Sequence, residues 1–119
     1  MRLGMLGSLL AGVAVVAGAF GAHALRDHIA PPLMAAFETA ARYQLVHALA
    51  VLVAADRARA EPRWAPAAAA LFAAGIVLFS GSLYALALGG PRVIGAITPL
   101  GGLAFIAGWL LLAWSYRTA

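Results

Sequence analysis

Apolar residues dominate four long stretches of this chain, and short polar breaks separate them. The stretches run approximately over residues 3–25, 33–55, 64–88 and 93–116. An α-helix rises about 1.5 Å per residue, so about 20 apolar residues cross the ~30 Å hydrocarbon core of a bilayer. Each stretch is long enough for one crossing. The pattern predicts an all-α fold, an integral membrane four-helix bundle with short loops, in a single domain over residues 1–119.

The breaks between the stretches carry residues that begin or end helices. Two prolines, Pro31 and Pro32, close the first break, and charged residues fill the second break at residues 56–66. The third break contains Gly-Gly-Pro at residues 89–91. Glycine ends a helix readily, and proline cannot continue one. Breaks this short leave no room for a separate soluble domain.

The first stretch also has features of a secretory signal peptide. Arg2 precedes the apolar run, and Ala22, His23 and Ala24 at its end resemble a cleavage site. The apolar run is, however, longer than the core of a usual signal peptide. We therefore expect this segment to be retained as the first membrane span.

The composition of the whole chain supports a membrane environment. Of the 119 residues, 65% are hydrophobic and only 10% are charged, whereas about half and about a quarter are usual in soluble domains. A small soluble fold could not bury so much apolar surface. The chain has no cysteine, which excludes disulfides and cysteine-based metal sites.

The charges indicate an orientation in the membrane rather than a nucleic-acid function. The net charge of +4 comes from eight arginines and four acidic residues, and no nucleic-acid-binding motif is present, so no nucleic-acid partner is expected. With four crossings, five arginines share a side with both termini and two lie opposite: Arg2, Arg57, Arg59, Arg63 and Arg117 against Arg26 and Arg92. The positive-inside rule predicts a multi-pass protein of the plasma (inner) membrane with both termini in the cytoplasm.

The second stretch carries polar residues that membrane spans usually exclude. Glu38 and Arg42 lie four residues apart, so they share a helix face, with the acid toward the N-terminus as ion pairs prefer. A charge near the bilayer centre costs at least ~2.5–3.5 kcal/mol unless it is paired or hydrated. We therefore expect an ion pair between Glu38 and Arg42. Tyr43 and His47 have the same spacing.

Polar residues of three stretches fall at one depth in the outer half of the bilayer. At ~1.5 Å per residue, Glu38 lies ~8 Å and Arg42 ~13 Å below the outer end of their stretch. Hydroxyl residues of the third and fourth stretches lie ~8–13 Å deep. The sequence therefore predicts a buried polar site with His23 at its mouth, whose candidate ligand-binding residues are His23, Glu38, Arg42, Tyr43, Ser80, Ser82 and Thr98.

Metal binding and catalysis find little support in these residues. His23 lies near the outer surface and His47 lies ~21 Å below it, so the two cannot share one ion. His23 and His28 alone do not complete a metal site. No G-x-S-x-G elbow surrounds Ser80 or Ser82, so no nucleophile is indicated. We expect no metal, no cofactor and no enzymatic activity.

Four segments together resemble a known family of small membrane proteins. They read GAFGAHAL at 18–25, FETAARYQ at 37–44 with HAL at 47–49, FSGSLY at 79–84 and GAITPLGG at 95–102. In this order they resemble the domain of unknown function 423 family, which is related to transmembrane protein 256 of animals. The resemblance implies a plasma-membrane protein with about four spans, and it implies no particular activity.

Two functional interpretations from different classes remain open. In the first, a non-enzymatic protein uses the Glu-Arg site as a scaffold for partners or to bind a small polar ligand or lipid headgroup. In the second, a small oligomeric transporter or channel uses Glu38 and Arg42. Expected partners are membrane lipids, a second copy of the chain or a larger membrane complex. Within the first interpretation, a scaffold predicts that Arg42 is fully bonded within the protein, whereas a ligand site predicts that Arg42 lines a space that opens outward near His23.

Overall fold

The computed structural model describes residues 2–117, and helices make up most of this length. In chain order, the elements are α1 (Leu3–Phe20), a π-helical turn (Gly21–Leu25), α2 (Pro31–Arg57), α3 (Trp64–Gly75), a second π-helical turn (Ile76–Ser80), α4 (Gly81–Ala87), a 3-10 turn (Arg92–Ala96) and α5 (Thr98–Ser115). Because α3, the second π-helical turn and α4 follow one another without a break, the chain forms four long helical segments. No strand occurs within residues 2–117, and the predicted all-α class is confirmed.

Proline and glycine mark two of the helix boundaries. Pro31 and Pro32 occupy the first turn of α2, where a missing N–H costs no hydrogen bond and the fixed φ of proline suits a helix. Gly89 has a φ of 100°, in the left-handed region that glycine adopts without a steric penalty. The next N–H, that of Gly90, donates to the Ala85 carbonyl. This bond satisfies a carbonyl at the C-terminal end of α4.

α2 is the central helix of the bundle. It packs against α1, α3 and α4, whereas α5 packs chiefly against α3. α2 buries ten residues, while α1 buries only Gly7 and Ala14. α1 and α5 make no extensive contact with each other within residues 2–117. One face of α2, with Arg42, Val46 and Leu49 exposed, therefore lies open between α1 and α5.

Glycines allow the closest helix contacts. A Cβ atom at Gly101 of α5 would overlap the backbone of Phe79, and one at Gly7 of α1 would lie 3.0 Å from the carbonyl oxygen of Ala48. Small residues permit such approach, and close packing is what drives helix association in lipid. The apolar core that results joins α2, α3 and α5 through Val51, Phe72, Ile76, Phe105 and Leu112.

Three of the four long segments are apolar enough and long enough to cross a membrane, namely Leu3–Leu25, Trp64–Ala87 and Arg92–Ser115. α2 is longer, at 27 residues, but it falls outside this group because of the polar residues between positions 38 and 47. Two of these, Gln44 and His47, are only 3% and 4% exposed. An average hydropathy counts them as if they faced lipid, although other helices cover them.

Candidate functional site

Glu38 pairs with Arg26 and not with Arg42. Its Oε1 accepts a hydrogen bond of 2.9 Å from Nη2 of Arg26, in the one ion pair found within residues 2–117. The two side chains are 42% and 59% exposed, respectively. Arg26 follows the π-helical turn after α1, and the α1–α2 hairpin brings its guanidinium to the carboxylate. The predicted Glu38–Arg42 ion pair is therefore wrong, because helical spacing alone does not show a cation that lies twelve residues earlier in the chain.

Arg42 lies on the open face of α2 and not in a buried site. Its side chain is exposed and has no hydrogen bond to protein within residues 2–117. Two open depressions meet at it, one of about 470 Å³ between α1 and α2 and one of about 310 Å³ beside Tyr43 and His47. We call these two depressions the Arg42 groove. The prediction that Arg42 belongs to a buried site is wrong, and the two depressions beside Arg42 open on the side of the bundle without His23 in their lining.

A third depression extends the Arg42 groove toward the end of the bundle where α1 connects to α2. It has a volume of about 230 Å³ and is lined by the Arg26–Glu38 pair and the first turns of α2. Glu38 also lines the Arg42 groove, so the depressions adjoin. Ala35, Glu38, Arg42 and Val46 follow one another at spacings of three and four residues, which places them on one stripe of the helix. Glu38 and Arg42 are the two charged residues of this stripe, and mostly apolar residues surround them.

Gln44 is the centre of a closed polar network that the sequence did not indicate. Its Nε2 donates to the Leu10 carbonyl at 2.8 Å, and its Oε1 accepts from the Tyr84 hydroxyl at 2.7 Å. The Tyr84 ring in turn packs edge-on against Phe37, with centroids 5.0 Å apart. Leu10, Gln44 and Tyr84 belong to α1, α2 and α4. One buried amide therefore joins three helices.

The predicted hydroxyl residues also form closed bonds. Ser80 donates to the Ala40 carbonyl at 2.8 Å. Ser82 donates to the Phe79 carbonyl, which leaves Thr98 to donate to the Ser82 hydroxyl. At about 100° per residue, Ala40 lies nearly opposite Arg42 on α2. The three hydroxyls therefore do not line the Arg42 groove, and the prediction of one shared site is wrong for them.

His47 is buried beneath aromatic rings with both ring nitrogens bonded. Nδ1 lies 2.8 Å from the Tyr43 carbonyl and Nε2 lies 3.0 Å from the indole nitrogen of Trp109. A carbonyl only accepts and an indole N–H only donates, so the neutral tautomer carries its proton on Nδ1. The ring stacks on Phe105, with centroids 3.5 Å apart and planes 10° apart. His47 therefore links α2 to α5.

The remaining predicted residues occupy two different positions. His23 is exposed in the first π-helical turn, and its imidazole makes no hydrogen bond within residues 2–117. Tyr43 is 41% exposed, lines the Arg42 groove and packs 4.8 Å from the Phe79 ring. Within the same residues, no group of three or more histidine or acidic side chains could hold a metal ion. The open groove thus brings together Glu38, Arg42 and Tyr43 alone of the seven predicted residues.

Comparison with known proteins places the chain in a family. The profile described as "Protein of unknown function (DUF423)" matches residues 17–102. A UPF0382 membrane protein of Staphylococcus epidermidis is 47% identical over 111 residues, covering 91% of this chain and 88% of the relative. The UPF0382 membrane protein YwdK of Bacillus subtilis is 43% identical, covering 91% and 89%. The UPF0382 inner membrane protein YgdD of Escherichia coli is 42% identical over 99 residues, covering 82% and 76%.

No solved structure matches the chain. The family match covers all the segments that carried the resemblance, including those around Glu38, Ser80 and Thr98. Relatives from three bacteria align with more than four-fifths of the chain, and all are named as membrane proteins. The resemblance drawn from the sequence is confirmed, and the chain belongs to the DUF423 family of membrane proteins.

Proposed function

We propose that this chain is a non-enzymatic, four-span membrane protein that binds the phosphate of a lipid headgroup at Arg42. The observation that carries the proposal is an exposed guanidinium with no protein acceptor in the described chain, lying in a groove between helices. A charge at this depth costs at least ~2.5–3.5 kcal/mol unless it is paired or hydrated. Since the protein supplies no partner to Arg42, the bilayer is the source of one.

The geometry of the Arg42 groove suits a phospholipid. A guanidinium presents five N–H donors in a planar fork that fits two phosphate oxygens at once. Arg42 lies eleven residues after Pro31, or roughly 16 Å below the start of α2 at 1.5 Å per residue. Its flexible stem can extend toward the surface and shorten this depth. On the α1 side, the small residues Ala14, Gly18 and Ala19 leave room for the glycerol and the acyl chains.

The charges along the groove also support an anionic group. Glu38 already forms an ion pair with Arg26, so no acidic side chain in residues 2–117 neutralises the positive charge of Arg42. A proton-coupled transporter would instead need Glu38 free to titrate and a path between the helices. The bonds of Gln44 and His47 fill that interior. These contacts support headgroup binding more than the transporter alternative.

Four spans with both termini in the cytoplasm are part of the proposal. Nε of Arg57, at the end of α2, donates to the Ser115 carbonyl at the end of α5 at 3.0 Å, so these ends share one face of the bundle. Ala60→Cys and Ala30→Cys, at exposed positions of the cysteine-free chain, test the orientation. An impermeant thiol reagent should label Ala30→Cys on intact cells, and Ala60→Cys only after permeabilisation. The reverse pattern would invert the topology.

Lipid retention tests the Arg42 site. Arg42→Gln and Arg92→Gln each remove one positive charge from an exposed arginine on the outer half, and only Arg42 lies in the groove. The purified proteins are mixed with phosphatidylglycerol in detergent, and bound lipid is counted by native mass spectrometry. Arg42→Gln should bind roughly tenfold less tightly, as expected for loss of a charge-assisted bond. Arg92→Gln should match the wild type.

The conservative variant separates charge from geometry. Arg42→Lys keeps the charge but loses the planar fork, so its lipid affinity should lie between those of the wild type and Arg42→Gln. Unchanged affinity in Arg42→Gln would overturn the proposal. Conversion of a dimer to a monomer in Arg42→Gln, with bound lipid unchanged, would assign the groove to a second copy of the chain.

A further inference from the structure

A further depression lies between the start of α1 and the end of α2, at the end of the bundle away from the Arg26–Glu38 pair. Its volume is about 550 Å³, and it is open to the outside of the bundle. The start of α1 contributes Arg2 and Gly4, and the end of α2 contributes Asp56 and Arg59. Two guanidinium groups and one carboxylate therefore line one space at the end of the bundle that also holds the α2–α3 loop.

The arginines at this end of the bundle fall into two groups. Arg57, Arg63 and Arg117 each lie over an aromatic ring, 4.5–4.7 Å from its centroid. Within residues 2–117, the side chains of Arg2 and Arg59 have no carboxylate, carbonyl or ring as a partner. These two are also the arginines that line the depression. Their donors are thus available to a group from outside the protein.

Asp56 adds an acceptor beside these donors. It is exposed, and its carboxylate has no hydrogen bond or ion pair within residues 2–117. Asp56 lies in the last turn of α2 and Arg59 in the turn that follows this helix, and both line the depression. No side chain caps the first turn of α1, and the positive end of its dipole adds to the field of Arg2. The depression therefore presents a cationic region next to a single anionic group.

We propose that this depression binds the headgroup of phosphatidylethanolamine in the membrane leaflet on this side. The phosphate lies between Arg2 and Arg59, whose guanidinium forks match its oxygens. The primary ammonium donates to the Asp56 carboxylate. A choline headgroup carries the same phosphate but no N–H donor, and a glycerol headgroup carries no cation. The site requires membrane insertion, as proposed above, but it is independent of the Arg42 groove.

Paired lipids and paired variants test this assignment. Phosphatidylethanolamine and phosphatidylcholine with identical acyl chains are titrated separately into the purified full-length protein in detergent, and binding is counted by native mass spectrometry. The wild type should prefer phosphatidylethanolamine by roughly tenfold, the ratio expected for one charge-assisted hydrogen bond. Asp56→Asn should abolish the preference and leave phosphatidylcholine binding intact. Arg59→Gln should weaken binding of both lipids by a similar factor.

Arg63→Gln is the matched control, because it removes one exposed arginine from the same loop region but not from the depression. It should bind both lipids as the wild type does. Equal affinity of the wild type for the two lipids would overturn the proposal, and so would an equal loss in Arg63→Gln and Arg59→Gln. Arg2→Gln is a second variant at the same phosphate position, so a failure of Arg59→Gln to fold does not end the test.

Two further measurements separate this site from its alternatives. Phosphoethanolamine without acyl chains should not compete at the concentrations at which the lipid binds. Effective competition by this soluble compound would overturn the assignment to a lipid. Arg42→Gln should leave the preference for phosphatidylethanolamine unchanged, and Arg59→Gln should leave phosphatidylglycerol retention at Arg42 unchanged. The proposal for each site can therefore be disproved without affecting the proposal for the other site.

Discussion

Gln44 and Arg42 lie two residues apart on α2, yet their polar atoms have opposite environments. Gln44 faces α1 and α4, where its amide is bonded on both sides, and no buried side-chain nitrogen or oxygen in residues 2–117 lacks a partner. Arg42 faces outward and has no protein partner there. Two neighbouring polar residues of one helix can therefore have different environments, one bonded between helices and the other exposed on the surface of the bundle.

The buried network contributes to stability chiefly through packing. Hydrogen bonds between membrane helices average only about 0.6 kcal/mol, because unfolded chains in a membrane also find partners. The stacked rings of His47 and Phe105 and the edge-on contact of Tyr84 with Phe37 bury aromatic surface. This burial stabilises the bundle in addition to the hydrogen bonds. The open face lacks this packing. Substitutions on the two faces should therefore differ in size, and the following experiments compare them in order of expected effect.

Gln44→Ala should have the largest effect on stability. The truncation leaves a cavity between three helices and removes the acceptor of the Tyr84 hydroxyl, so we expect a loss of roughly 2–4 kcal/mol. Reversible unfolding in mixed detergent micelles measures it. Tyr84→Phe is the control, which keeps the ring and should cost only about 0.6 kcal/mol. If Gln44→Ala costs no more than Tyr84→Phe, the network has no central role in packing.

His47→Ala should have the second-largest effect, lowering the free energy of unfolding by roughly 2 kcal/mol, because it removes a buried ring along with its two hydrogen bonds. His47→Phe keeps a ring that can stack on Phe105 and should recover more than half of this loss. The same unfolding titration compares the two variants. Equal destabilisation by both would show that the bonds to Tyr43 and Trp109, and not the stack, account for the effect.

The Arg26–Glu38 pair should couple weakly, by about 0.2–1 kcal/mol, because both side chains are well exposed. A double-mutant cycle with Arg26→Gln and Glu38→Gln measures this coupling from four unfolding curves. The parallel cycle of Glu38→Gln with Arg42→Gln should show additive effects. A larger coupling energy in the second cycle than in the first would show that Glu38 pairs with Arg42, as helical spacing predicts.

Arg42→Leu should have the smallest effect, within about 0.5 kcal/mol in detergent, because it removes no contact with protein in the described chain. Its effect should appear instead in lipid retention. A loss above roughly 1 kcal/mol, the usual size for a substitution that breaks contacts, would mean that Arg42 is bonded within the fold. The contrast between the two faces of α2 would then be lost.

Several features of this protein follow from the sequence alone. The all-α class and the family could be predicted because hydropathy and short motifs are local properties that need no knowledge of the fold. The period of the helix also shows that Arg42 and Ala40 lie on nearly opposite sides of α2. The sequence thus identified which residues share a face.

Only the tertiary structure decided which face is covered and by what. Tyr84 bonds Gln44 across 40 residues of sequence, and Arg26 reaches Glu38 across a hairpin. The second π-helical turn, with its wider i→i+5 spacing, positions Ser80 to donate to Ala40. Such partners depend on how separate helices meet. Helical periodicity shows that polar residues lie together, but only the packing of α1, α3, α4 and α5 around α2 determines whether each polar atom is bonded within the bundle or exposed on its surface.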